Sequence, residues 1–230
     1  LTVGKAFSEI KMHFGEGALN KIMFHAHGTS TPQNRESESH IISSISKAFN
    51  IQSLPVTAIK SYLGHSLAAA GGDQMISTLG SWKNNLIPGI TSTPKLAENV
   101  YTENVNFLLE NLEFSNDDYD FAVLNAKGFG GNNGTALVAS PTKTMDLLKN
   151  KYTKNKLKKY LEQKESIDNK LTENKDRILK GDIKSRYIFG ENVTDGINDF
   201  DVESHKITNK LNNETFNLES TLPYQEFFEK

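Results

Sequence analysis

The stretch FHAHGTSTPQNRESES, residues 24–39, decides how the first part of the chain is built. An apolar segment ending in His25 and His27 predicts a strand, the glycine, threonine, serine and proline after it predict a turn, and ESES opens a helix. Two histidines one residue apart on a strand point to the same face. Three interpretations are open at this point: a metal clip, a flexible loop, or a histidine that takes part in chemistry.

A metal site built on His25 and His27 needs more ligands than these two. Among the other histidines only His65 has a comparable setting, and no carboxylate stands at a matching strand end. Metal ligands are normally several and are oriented by neighbouring carboxylates. We therefore expect no metal, and we expect His25 to be a strand residue with an ordinary hydrogen-bond partner.

Outward from this stretch, apolar clusters alternate with turn residues up to Ser140. The patterns predict strands at 21–27 and 54–60, helices at 36–50 and 64–85, and later strands at 105–111, 120–126 and 135–140. The alanine and glycine residues of the second helix imply tight burial between other elements. Helices between strands, followed by consecutive strands, describe a layered α/β domain with a mixed sheet over residues 1–140.

Residues 141–230 have a different composition, so a boundary is predicted near Pro141. Residues 141–180 hold 12 lysine and arginine against 6 acidic residues, and 181–230 hold 5 against 10, so this extension is basic and then acidic. Loosely helical spacing predicts one long surface helix with Leu147, Leu148, Leu157, Leu161 and Ile167. We interpret the extension as charged and largely helical or irregular; a contact for an acidic partner is the alternative.

The composition of the 230 residues excludes several functions. The formal net charge of −2 gives no overall attraction to nucleic acid or to a membrane. The absence of cysteine excludes a disulfide framework, a cysteine zinc site and a thiol nucleophile within this chain. No apolar run approaches the roughly 20 residues of a membrane span. The start at Leu1, without a secretory pattern, leads us to expect the interior of a longer protein or a processed piece.

Three separated motifs carry a candidate site. His27 ends its strand where open α/β sheets place ligands, and the hydroxyls of Thr29 and Thr31 follow it. A second strand is predicted to end at Lys60 and to turn into a helix beginning near His65, where a cationic imidazole is disfavoured. Neutral imidazoles would donate hydrogen bonds to a developing anion.

The third motif, NAKGFGGNNG at residues 125–134, is a glycine bend around Phe129. Its glycines let the backbone approach a ligand and leave amide N–H groups free for an oxyanion. Lys60 is expected to hold a carboxylate or to tune an imidazole, because lysine is rarely buried without a partner. Together the three motifs predict an anion-stabilising site without a nucleophile.

AHGTSTPQN at 26–34, KSYLGH at 60–65 followed by AAAGG, and GFGGNN at 128–133 stand in one order and at matching separations. In these motifs residues 1–140 resemble the C-terminal half of a β-ketoacyl-[acyl carrier protein] synthase of the thiolase fold. The resemblance implies a thiolase-like layered α/β fold with a charged C-terminal extension. The implied reaction is decarboxylative condensation of a malonyl thioester with an acyl thioester in fatty acid biosynthesis.

The resemblance also implies a role for each matching residue. His27 and His65 would bind the malonyl carbonyl and stabilise the enolate, with Lys60 as electrostatic support. Phe129 matches the gating aromatic, whose amide would join that of the absent cysteine to hold a second oxyanion. Gly128 and Gly130 beside it are implied substrate-binding residues. Thr29 and Thr31 match hydroxyls that bind the pantetheine arm. Glu38 falls where the family has an acidic partner for His27, although a plain surface carboxylate is the alternative.

Partners are implied in the same way. The family takes its substrates on the phosphopantetheine of acyl carrier protein or on coenzyme A, and it needs no cofactor of its own. Its N-terminal half supplies the nucleophilic cysteine, so this chain alone is expected to be inactive. A cytoplasmic homodimer is implied, without nucleic acid or a membrane span.

Departures from the family pattern leave alternatives open. Asn34 stands where many relatives have aspartate, Ala126 and Lys127 replace a common serine and phenylalanine, and the long extension is similar to extended bacterial forms. A non-catalytic, chain-length-type subunit and a thiolase relative are the alternatives, with a metal hydrolase using His25 and His27 ranked below them. Retention of both His27 and His65 argues against the non-catalytic subunit, since unused polar donors are costly to keep in a cleft.

Overall fold

A computed structural model of the chain describes residues 1–116, 118–183 and 196–218. The chain divides into two compact units, Leu1–Lys159 and Tyr160–Lys230. Pro141, at the predicted boundary, is the first residue of a helix. No described helix is both long enough and apolar enough to pass through a bilayer.

The first unit contains helices and strands in alternation. Its elements are α1 Thr2–Phe14, β1 Ile22–His25, α2 Pro32–Ala48, β2 Leu54–Thr57, α3 Lys60–Leu63, α4 Ala70–Asn84, β3 Leu86–Ile87, β4 Val105–Phe107, β5 Leu112–Glu113, β6 Phe121–Lys127, β7 Asn133–Ala139 and α5 Pro141–Lys151. Short 3-10 helices cover Glu16–Lys21, Leu67–Ala69 and Phe129–Gly131. A long helix, α6 Lys154–Leu179, continues from the first unit into the second.

The main sheet has the strand order β4-β2-β1-β6-β7. The first four strands are parallel and β7 runs antiparallel to β6, so the predicted mixed α/β sheet is confirmed. Phe24 pairs with Val56 on one side and with Val123 on the other, which puts β1 at the centre. The carboxyl ends of β1 and β2 therefore lie side by side, and the loops after them meet at one edge.

Two apolar clusters cover the two faces of β1. Phe24 belongs to the cluster that contains Phe7 of α1 and Ile42 of α2. Met23 belongs to the other cluster, with Trp82 of α4. A strand buried on both faces reads as a continuous apolar run, which explains the sequence IMF.

The structure corrects two predicted boundaries at the sheet edge. β2 ends at Thr57, so Lys60 begins the short helix α3 and does not end a strand. The long helix begins at Ala70, so His65 lies in a loop before it. Gly64 and Leu67 have positive φ angles of 74° and 54°, which a right-handed helix cannot contain.

The predicted burial of the small residues around α4 is also wrong in most places. Ala70 is buried, but Ala68, Ala69, Gly71 and Gly72 are exposed. The face of α4 toward the sheet carries Ala70, Gln74, Thr78 and Ser81 instead. Periodicity detected the helix, but it did not show which of its faces is covered.

The extension differs from the single helix that its sequence predicts. Tyr152 is extended (φ −117°, ψ 149°) and separates α5 from α6. Thr153 restarts the helix, because its hydroxyl accepts a hydrogen bond from the Lys156 N–H at 3.5 Å. The second unit then forms a three-stranded antiparallel sheet in a region expected to be helical or irregular: β8 Phe200–Val202, β9 Lys206–Asn209 and β10 Glu214–Asn217. The acidic residues at 184–195 and 219–230 lie outside the described part.

His25 lacks the ordinary partner that its sequence position predicts. Its side chain is fully buried, and neither ring nitrogen has a hydrogen-bond partner. It lies at the centre of the sheet, in register with Thr57 and Leu124. Burial lowers the pKa of His25 to about 4, because the cation would lose its hydration there.

Acid should therefore destabilise the folded chain through His25. Between its normal pKa of 6.5 and about 4, the unfolded chain binds a proton that the folded chain excludes. As the pH falls from 6.5 to about 4, the free energy of unfolding should decrease by up to roughly 3 kcal/mol. Urea unfolding at several pH values should show a shallower slope for His25→Leu than for the wild type. An equal dependence of the unfolding free energy on pH in both proteins would contradict the conclusion that His25 is buried in its neutral form.

Candidate active site

The loop after β1 places His27 at the sheet edge. Gly28 has φ +56°, and a Cβ on it would lie 2.6 Å from the Cβ of Ala58, the residue that follows β2. Only glycine fits this conformation and this approach. Ser30 also has a positive φ, 55°, so the chain turns sharply before α2 begins at Pro32.

Glu38 of α2 holds this loop through its carboxylate. The residue is 4% exposed and accepts hydrogen bonds from four N–H groups. The backbone N–H groups of His27 and Gly28 donate at 2.8 and 3.0 Å, and the side-chain amides of Asn125 and Asn34 donate at 2.6 and 3.0 Å. A buried carboxylate is stable only when it is satisfied in this way. The surface alternative for Glu38 is therefore wrong, and its contact with His27 is to the backbone.

The imidazole of His27 is fixed by a backbone donor. The Lys127 N–H donates to its Nδ1 at 3.2 Å, which leaves the ring proton on Nε2. Burial lowers the pKa of His27, and the Lys60 cation lowers it further, while Glu38 opposes them. The ring is thus a neutral imidazole with a free Nε2–H donor.

His65 meets His27 from the neighbouring loop. The two ring centroids are 5.4 Å apart, with an interplanar angle of 82°. The Leu67 N–H donates to His65 Nδ1 at 3.1 Å, so the proton of this ring also lies on Nε2. The hydrogen bond that sets this tautomer lies within the loop before α4, whereas the sequence had placed His65 at the N-terminus of that helix. The two rings are therefore neighbours, and each carries its proton on Nε2.

Lys60 connects the two loops. Its Nζ donates to the His27 carbonyl oxygen. Burial lowers the pKa of Lys60, and the carboxylates of Glu38 and Asp73 oppose the shift. The Ser66 hydroxyl donates to Asp73, which ties the His65 loop to α4.

The glycine bend lies at the junction of β6 and β7. Phe129 is 96% exposed at its tip, and Gly130 has φ +76°. The Gly128 N–H donates to the Asn132 carbonyl at 2.8 Å, so this amide closes the turn and is not free for a ligand. The hydroxyls of Thr29 and Thr31 lie 3.4 Å apart in the loop after His27.

Sequence reasoning missed two buried amides that support the site. Asn125 donates to Glu38 and also lies 3.3 Å from the Thr135 hydroxyl through its Oδ1. Gln74 donates to the carbonyls of Ala26 and Asn125, both at 3.0 Å, and so ties α4 to β6 and to the loop after β1. In the sequence, Asn125 directly follows the apolar residues of FAVLN, and this position could have indicated a buried polar side chain. Gln74 gave no comparable signal.

Metal ligation finds no support in the geometry. Among the described residues, no group of three or more histidine, cysteine, aspartate or glutamate side chains is arranged to hold an ion. His25 is enclosed in the sheet, whereas His27 pairs with His65.

Comparisons with known proteins find relatives of this chain among the β-ketoacyl synthases. Residues 21–93 match the family described as "Beta-ketoacyl synthase, C-terminal domain". The Beta-ketoacyl-[acyl-carrier-protein] synthase FabY of Pseudomonas aeruginosa is 36% identical over 197 residues, which are 85% of this chain and 31% of that protein. The 3-oxoacyl-[acyl-carrier-protein] synthase 2 of Vibrio cholerae is 30% identical over 112 residues, or 49% of this chain and 26% of that one.

Solved structures show the same fold. The crystal structure of the noncanonical ketosynthase FabY from P. aeruginosa superposes with a TM-score of 0.76 at 30% identity, covering 99% of this chain and 36% of that one. A ketosynthase from module 1 of the bacillaene synthase of Bacillus amyloliquefaciens gives a TM-score of 0.51 at 21% identity, over 61% and 26% of the two chains.

The fold is that of the thiolase-like condensing enzymes, as the motifs predict. More specifically, residues 21–93 resemble the β-ketoacyl synthase C-terminal domain, whose family model they match. The chain spans about a third of the length of FabY, the first of these relatives.

Glu38→Gln should destabilise the first unit. The new NH2 group would face N–H donors and leave at least one of them unsatisfied, which costs roughly 2–4 kcal/mol. Glu36→Gln, an exposed change on the same helix, is the matched control. Urea unfolding should show a lower midpoint for Glu38→Gln only; equal midpoints would show that the carboxylate is not needed to hold the loop.

Proposed function

We propose that this chain forms the decarboxylating part of the active site of a β-ketoacyl-[acyl carrier protein] synthase. The reaction is condensation of malonyl-[acyl carrier protein] with an acyl thioester in fatty acid biosynthesis, which makes the protein an acyltransferase. One observation carries the proposal: the rings of His27 and His65 are neighbours, with centroids 5.4 Å apart, and backbone donors to both Nδ1 atoms leave both Nε2–H groups available.

Two such donors suit the chemistry of a malonyl thioester. When the bond to the carboxylate breaks, carbon dioxide leaves and the electron pair moves into an enolate, whose negative charge lies on the thioester oxygen. Two preorganised N–H donors on that oxygen can lower the barrier by several kcal/mol. A neutral imidazole stabilises the enolate without readily protonating its carbon, which must stay nucleophilic to attack the acyl thioester.

The surrounding residues serve these two rings. Burial and the Lys60 cation both lower the pKa of His27 and so favour its neutral form. Glu38 fixes the His27 backbone through two N–H groups. Lys60 and Glu38 are therefore positioning residues, since neither side chain needs to touch the substrate.

The remaining roles follow the family pattern. Thr29 and Thr31 would bind the pantetheine arm of the carrier. Phe129 would act as a gate, since its side chain is exposed at the tip of the glycine bend. Gly128 and Gly130 would shape the bend for the substrate, with Gly128 contributing backbone conformation because its N–H is already bonded.

The rest of the reaction needs partners. The chain contains no cysteine, so we propose that the thiol nucleophile comes from another part of the same protein. Acyl carrier protein delivers the substrates on phosphopantetheine, and no resident cofactor takes part. The intact protein would work as a cytoplasmic homodimer. The printed names of the FabY and Vibrio relatives describe acyl carrier protein synthases, which supports this substrate class.

Substitution of either histidine tests the proposal in the intact protein that contains this chain. His27→Ala and His65→Ala should each slow malonyl decarboxylation and condensation by about 10²- to 10³-fold, the typical cost of losing one oxyanion donor. Transfer of an acyl group onto the nucleophile should be much less affected. The assays are carbon dioxide release from malonyl-[acyl carrier protein] and acyl loading.

Two controls sharpen the result. His40→Ala removes a histidine whose ring packs on Tyr101 outside the site, and it should leave both rates unchanged. His65→Asn keeps a side-chain N–H and should retain more decarboxylation than His65→Ala. Normal decarboxylation with lost loading in the alanine variants would contradict the proposal. No condensation in the intact wild-type protein would favour a chain-length-type subunit.

A further inference from the structure

The helix α6 carries an apolar stripe that the proposed function does not use. Every described side chain from Glu162 to Leu179 is exposed, and no residue of the helix is buried. Four large apolar residues on it remain 44–60% exposed: Tyr160, Ile167, Leu171 and Ile178. Such a row on a 26-residue helix is typical of an interaction surface.

The stripe has the spacing of a coiled-coil seam. Steps of four, three, four, three and four residues join its six positions: Tyr160, Lys164, Ile167, Leu171, Asn174 and Ile178. We call these six residues the seam. Four of them are apolar, and the two polar positions, Lys164 and Asn174, specify how a second helix can be placed.

We propose that the seam of α6 binds α6 of a second copy of this chain in an antiparallel pair. In the register centred near Asn169, Lys164 lies opposite Asn174 of the second copy, and Ile167 lies opposite its Leu171. Tyr160 then faces Ile178 at each end. Polar residues thus lie opposite polar residues, and apolar residues lie opposite apolar ones. Each contact occurs twice, once from each copy, as a two-fold axis requires.

The parallel alternative is disfavoured by the same residues. It would stack Lys164 on Lys164 of the second copy, so two cations would face each other inside the seam. In the antiparallel register each Lys164 instead meets a neutral amide. The ion pair of Lys164 with Asp168 lies within one helix and is present in both orientations, so it does not distinguish them. This inference concerns a different surface from the histidine site and does not rest on the proposed condensing activity.

One substitution separates the two orientations by the sign of its effect. Asn174→Asp puts a carboxylate opposite Lys164 in the antiparallel pair, which should tighten the dimer by about two- to fivefold. In a parallel pair the same change puts Asp opposite Asp and weakens association. Asn169→Asp makes the same charge change on the opposite face of the helix and should leave the dimerisation constant unchanged.

Sedimentation equilibrium of the 230-residue chain measures these constants. Leu171→Asp should weaken the dimer by on the order of 100-fold, because it places a carboxylate in the apolar seam and both copies of the chain carry the change. Weaker or unchanged association for Asn174→Asp, or an equal effect of Asn169→Asp, would overturn the proposal.

Disulfide trapping provides a second readout, because the wild-type chain has no cysteine. Ile167→Cys and Leu171→Cys chains, one of them carrying a size tag, are mixed and then oxidised. The antiparallel register predicts the mixed disulfide as the main product. Predominance of disulfides between identical variants would indicate the parallel pair, and absence of trapping would indicate that another segment covers the seam; either result overturns the inference.

Discussion

The buried carboxylate of Glu38 is the constraint on which the candidate site depends. It lies under the loop after β1 and satisfies the backbone N–H groups of His27 and Gly28, which point into the fold at a sharp turn. Without an acceptor there, two backbone donors would be buried and unsatisfied. The carboxylate is itself costly to bury, so the amides of Asn34 and Asn125 are needed as well. The loop and its acceptor therefore stabilise each other.

From this constraint the chemistry of the two imidazoles follows. Once the His27 backbone is fixed, its Nδ1 accepts a hydrogen bond from the N–H of Lys127 at the end of β6, and its ring lies edge-to-face with that of His65. His65 takes the same tautomer from Leu67, two residues later in its own loop. Because the main-chain N–H groups of Lys127 and Leu67 set both tautomers, the side chains at positions 127 and 67 do not determine them. A lysine at position 127 is thus compatible with the site despite its departure from the family pattern.

The motifs predicted the pairing of His27 with His65, because both follow parallel strands whose carboxyl ends meet at one edge. The family resemblance also implied Glu38 as a partner of His27, beside the alternative of a surface carboxylate. Sequence spacing could not show that the partner group is the backbone, since that depends on the turn at Gly28. Nor could it show that His65 precedes α4 by several residues, because the break comes from a positive φ at Leu67, which is not a typical residue for that conformation. Asn125 and Gln74 escaped notice because their hydrogen bonds join elements far apart in sequence.

The proton positions on the two rings test the central claim most directly. Long-range ¹H–¹⁵N spectra of the labelled chain at neutral pH distinguish the histidine tautomers, and substitution of His27 or His65 assigns each signal. The account predicts that both rings carry their proton on Nε2, with Nδ1 unprotonated. A proton on Nδ1 of either ring would remove the paired donors and contradict the account.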